Sequence, residues 1–272
     1  MSKTKKRKKR NKNKQIIIIT ICVCTCLLLL LLGLLSHRTN YKIENRDNNI
    51  KKEQEKDTEA LNTIGWLRVQ GTQIDMPIVS LTSNIEAPIE KESYAWILNN
   101  DAKYHNSIRI LGHNIFNLSA KPKIHSPKYK RFEELLAFFY YDFAKENQYI
   151  QLTIDNKDHL YKIFAVGMID YKKLDELPTV EHTKEEIKNE IDLFRDNSIY
   201  DYNTKVTKND NLLSLITCTR MYGREADIGV VISAKEVKNH KINKLSRIKK
   251  NKKYKELEKH MEEADSDEEI SA

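Results

Sequence analysis

Of the four cysteines in this 272-residue chain, one stands apart. Cys22, Cys24 and Cys26 lie inside an uncharged apolar run, out of reach of soluble metals and of ordinary structural disulfides. Cys218 is the fourth and has no partner outside that run. An unpaired thiol of this kind reads as a reactive group, against the plainer alternative of a small buried hydrophobe. A thiol attacks only as the thiolate, so it needs a neighbour that removes its proton or holds its charge.

Eight histidines are available for that task. His37, His240 and His260 fall in charged terminal stretches, and His105, His125, His159 and His182 sit among polar, loop-like residues where solvation is expected. His113 differs. It follows Gly112 at the end of the apolar run Ile108–Leu111, where a side chain is held rigidly while backbone can come close to a ligand. Cys218 closes the run Leu212–Thr217 in the same manner. Attack on an amide also requires a donor or cation for the oxyanion. Arg220 shares a face with Cys218 if the strand continues, because side chains two apart point the same way. Arg224 follows in the loop after Gly223 and is the second candidate.

The elements that must carry these residues read mainly as strands. Runs at 65–69, 74–79, 108–111, 149–154, 160–168, 212–217 and 229–234 alternate or cluster apolar residues. Residues 131–145 and 183–195 carry helical spacing, the second opening with the capping-box pair Thr183 and Glu186. Ile187, Ile191 and Phe194 then form one apolar stripe. Seven or so strands with few helices between them predict a mostly antiparallel barrel or sandwich, not alternating βαβ units.

Composition divides the chain. Residues 1–14 hold nine Lys or Arg, which accounts by itself for the net charge of +8. Residues 15–35 are apolar, long enough for a transmembrane helix, and end without a small-residue cleavage site. A basic run directly against such a span is a cytoplasmic leader, not a nucleic-acid arm, and places everything after Ser36 outside the cell membrane. Residues 36–60 read as a polar stalk, 61–237 as the globular domain, and 238–272 as a charged tail, a solvated helix or disordered.

Four landmarks in order resemble the sortase family. They are Gly65-Trp66-Leu67, Ile74-Asp75-Met76-Pro77-Ile78-Val79, Leu111-Gly112-His113-Asn114 and Leu215-Ile216-Thr217-Cys218. The long insert before the cysteine strand is similar to class B members. The resemblance covers about residues 61–237. It implies an eight-stranded β-barrel with a few added helices and a Cys218–His113–arginine site, with Asn114 and Thr217 as substrate contacts. It implies a cysteine transpeptidase that cuts a C-terminal sorting signal of secreted proteins through a thioester. The acyl group would pass to a cell-wall or pilin amine without cofactor or metal. One departure stands out: the family arginine usually opens the strand after the cysteine, and here Ala226, Asp227, Ile228 and Gly229 occupy that place. Either Arg220 or Arg224 takes over, or the chain is a degenerate binding module. An exported cysteine hydrolase is the other alternative. The papain-like order, cysteine before histidine with the cysteine on a helix, is not found.

Overall fold

The computed structural model describes residues 19–21, 23–26, 41–57, 61–81, 95–97, 105–114, 118, 132–178, 181–219, 221–222, 227–238 and 245–270. The chain divides into two units, 1–40 with 243–245, and 41–242 with 246–272. In the first unit, residues 19–21 and 23–26 are helical. Among the described residues no helix is long and apolar enough to cross a membrane, and most of the span expected at 15–35 lies outside them.

The second unit holds ten described strands. In chain order they are β1 (Leu61–Val69), β2 (Asp75–Leu81), β3 (Ala95–Ile97), β4 (Ser107–Leu111), β5 (Tyr149–Ile154), β6 (Lys157–Asp170), β7 (Tyr200–Tyr202), β8 (Leu212–Cys218), β9 (Ile228–Glu236) and β10 (Ile248–Lys250). Eight of them close a barrel in the order β1-β2-β3-β4-β8-β9-β6-β5. β2–β3 and β4–β8 pair in parallel, and the other barrel neighbours are antiparallel. A two-residue turn joins β5 to β6, with Asp155 and Asn156 at φ 51° and 58°. Both are residue types that tolerate left-handed backbone, and two such residues match the right-handed twist of a hairpin.

Period-two alternation sorts the strands into two apolar layers. Ile108, Ile110, Leu213, Leu215, Val230 and Ile232 join the barrel interior. Leu212, Ile216 and Val231 point outward and pack with Phe164, Ile169, Leu174, Ile187, Ile191 and Phe194. The outer layer is supplied by the segment between β6 and β8, which holds a short helix (Tyr171–Asp175) and a longer one (Lys184–Asn197). The longer helix opens on the expected capping box: Thr183 Oγ1 accepts from Glu186 N–H at 3.3 Å, while Glu186 Oε2 accepts from Thr183 N–H at 2.7 Å. The stripe Ile187, Ile191 and Phe194 is buried.

Three local expectations are corrected. The helix expected at 131–145 breaks at Tyr140 into a 3-10 turn (Phe132–Phe139) and an α-helix (Tyr141–Glu146). Much of the expected polar stalk is part of the barrel unit. Helix Asp47–Gln54 buries Ile50, Tyr41 stacks on Tyr149 with ring centroids 6.1 Å apart, and Asp57 accepts from both N–H and Oγ1 of Thr63. The tail also packs. β10 pairs antiparallel with β7, and helix Lys252–Ile270 buries Tyr254, Leu257 and Met261. These three recur at i, i+3 and i+7, an apolar stripe narrow enough to pass for a charged helix in composition alone.

Candidate active site

The parallel β4–β8 pair leads to both candidate residues: Cys218 ends β8, and His113 follows β4 by two residues. The ladder runs from Ser107 opposite Leu212 to Leu111 opposite Ile216, and Gly112 N–H extends it by donating to Ile216 O at 3.1 Å. His113 lies one residue beyond that last ladder bond, and Cys218 two residues beyond Ile216. Leu111 and Ile216 belong to the outer layer, and Cys218, two residues past Ile216 on the same strand, faces outward with it. The strand order then lays a row across four neighbouring strand ends: Trp96 on β3, His113 after β4, Cys218 on β8, and Gly229 on β9 opposite Cys218.

Polar side chains between the strands fix this row. Thr217 Oγ1 donates to Gly112 O at 2.7 Å, and Asn114 Nδ2 donates to Cys218 O at 2.8 Å. Thr217, expected at the substrate, is buried and its hydroxyl is directed to the neighbouring strand end. Asn114 likewise grips backbone across the pair. Gly112 is explained by Phe132: a Cβ at 112 would lie 2.5 Å from the Phe132 ring. Only glycine lets the histidine-bearing chain pass there, and Phe132 N–H returns a bond to His113 O at 2.9 Å.

The His113 ring lies against Trp96 with centroids 4.8 Å apart, tilted by 55°. Burial lowers its pKa, because the imidazolium loses hydration without a carboxylate in compensation. Its buried Nε2 has no hydrogen-bond partner among the described residues. A neutral imidazole with an uncommitted nitrogen is a proton acceptor in waiting. Cys218 is exposed at the end of a strand whose other residues are buried, and it is free of any disulfide.

Tyr171 was invisible to sequence reasoning. Its hydroxyl donates to Cys218 Sγ at 3.6 Å, across 47 residues of sequence. The ring covers Gly229, where an added Cβ would meet Tyr171 Cζ at 2.9 Å. The second residue of β9, within the stretch where an arginine was expected, thus holds no side chain, and a phenol fills the space above it. Trp96 was also missed; its run Ala95-Trp96-Ile97 alternates correctly but is only three residues long. Arg220 and Arg224 lie outside the described residues.

No family model and no curated protein matches the chain. Solved structures do match. Sortase B of Clostridium perfringens aligns at 21% identity, covering 69% of this chain and 99% of that one, with a TM-score of 0.53. The Staphylococcus aureus sortase B–substrate complex aligns at 15% identity over 78% of this chain and 91% of its own, TM-score 0.53. Sortase B of Listeria monocytogenes aligns at 19% identity over 69% of this chain and 99% of its own, TM-score 0.50. The fold is that of a class B-like sortase.

Proposed function

We propose that this chain is a membrane-anchored cysteine transpeptidase of the sortase type. The observation that supports the reading is the pairing of β4 with β8, strands that end shortly before His113 and at the exposed Cys218. His113 takes the thiol proton, and Sγ attacks the carbonyl carbon of a sorting-signal peptide bond near the C-terminus of a secreted protein. The C–N bond breaks, His113 returns its proton to the leaving amine, and a thioester remains. An incoming cell-wall or pilin amine then loses a proton to His113 and displaces the sulfur. Arg220, with Arg224 as the second candidate, supplies the cation for the oxyanion. The basic leader and apolar segment 15–35 anchor the enzyme with the barrel outside the membrane.

The test uses the full chain in detergent, incubated with sorting-signal peptides and with or without triglycine, followed by intact mass. An adduct on Cys218 that triglycine converts into a ligated peptide is expected. An adduct discharged only by water would identify a hydrolase. Absence of any adduct, with Cys218 still open to alkylation, would overturn the enzymatic reading.

A further inference from the structure

We infer that Tyr171 is a catalytic residue: its phenol is a neutral hydrogen-bond donor that holds the Cys218 sulfur as the proton leaves for His113. The inference rests on Cys218 being the nucleophile and adds a group that the cysteine–histidine pair alone does not explain.

Three independent features place the phenol there. The hydroxyl points at Sγ, 3.6 Å away, within the reach of a donor to sulfur. The backbone that carries the ring is fixed, because Tyr171 N–H donates to Asp227 O at 2.8 Å and Asp170 caps the short helix that Tyr171 opens. Gly229, paired with Cys218 across β8 and β9, leaves the space the ring occupies. A Cβ at 229 would crowd the hydroxyl end of the ring at 2.9 to 3.1 Å and make it shift.

The chemistry suits a donor that never gives its proton away. Burial, reinforced by the charge of the neighbouring sulfur, raises the phenol pKa far above neutrality, so Tyr171 remains a donor throughout the cycle. Thiolate sulfur is a good acceptor and thiol sulfur a poor one, so the bond strengthens as Cys218 ionises. On attack the sulfur electron pair goes into the new S–C bond and the phenol keeps its hydrogen. When an amine later expels the thiolate, the same bond favours departure of the leaving group.

The experiment is the pH profile of iodoacetamide alkylation at Cys218, read by peptide mapping of the full-length protein, for wild type and Tyr171→Phe. Phenylalanine keeps the ring over Gly229 and removes only the hydroxyl. The Tyr171→Phe profile is expected to move to higher pH, with the rate at pH 7 reduced roughly fivefold, the equivalent of one ordinary hydrogen bond. Replacing the tyrosines by 3-fluorotyrosine, a stronger donor, should move the profile the other way. Superimposable profiles for wild type and Tyr171→Phe, or no response to fluorination, would overturn the assignment. Failure of the wild type to take an acyl group from any sorting peptide would count against the transpeptidase alone, since the alkylation profiles do not depend on a peptide substrate.

Discussion

The β4–β8 pair carries a polar cluster at each end, and the two are built by opposite rules. At the Ser107 end the charged and polar groups face one another. Ser107 Oγ donates to both Glu190 oxygens at 3.0 and 2.9 Å, and His182 Nδ1 lies 3.1 Å from the same carboxylate. His182 Nε2 meets Pro178 O at 3.0 Å, and Arg109 donates to Leu174 O at 3.0 Å. All four side chains are buried. At the other end, no carboxylate offsets the burial of His113, and Cys218 faces solvent. Histidine shows the contrast most clearly. Burial lowers the pKa at both sites, but at His182 the Glu190 carboxylate outweighs it and the net shift is upward. A buried imidazole with a carboxylate partner fastens the insert to the barrel; one without is left available for proton transfer.

The sharpest way to break this contrast is at the nucleophile. Cys218→Ala should reduce acyl transfer by at least about 10⁴-fold while leaving the thermal midpoint unchanged, since the side chain is exposed. A large loss of stability would mean that the open end is structural after all. On the structural side, truncation after Leu245 removes buried Ile248, Tyr254, Leu257 and Met261 and should cost roughly 5 kcal/mol in denaturant titrations. Undiminished stability would return the tail to the status of a solvated appendage. Glu190→Ala leaves Arg109 and His182 buried without their carboxylate, at a cost of about 3 kcal/mol. If that variant instead stayed stable and lost acylation, the roles assigned to the two ends would be exchanged.

The smallest effect is in pH. His182 has a raised folded pKa, so its stabilisation is fully present below pH 6.5 and fades as pH rises through the folded value. His113 has a lowered one, so the acid-side fall in acylation, as the imidazole becomes protonated, should have its midpoint below pH 6.5. Denaturant midpoints between pH 6 and 9 should therefore drift downward in wild type and lose that drift in His182→Gln. A midpoint of that fall above pH 6.5 would contradict the reading of His113.

The sequence was legible wherever apolar side chains repeat at short period. The runs ending at Leu111 and Thr217 predicted strands and put His113 and Cys218 at their ends, and Thr183 with Glu186 marked the helix start. What could not be read depends on single contacts between distant residues. Ile50 and Tyr41 are the buried anchors of a segment otherwise crowded with charge, so composition alone assigned it to a stalk. His182 looked solvated because its partners Glu190 and Pro178 are brought to it only by the folded insert. Tyr171 meets Cys218 by tertiary folding, with no local signal in its neighbours.

The parallel pairing of β4 with β8 also has a consequence for the order of assembly. Thr217 and Gly112 are 105 residues apart, so β4 lacks its β8 neighbour until nearly the whole barrel sequence has been made. As the chain emerges N-terminus first, the β4 edge and the guanidinium of Arg109 wait without their final cover. Folding then ends in one long-range closure that seals the insert and creates the reactive pair together. Cys218 meets the strand neighbours supplied by β4 only when the barrel closes.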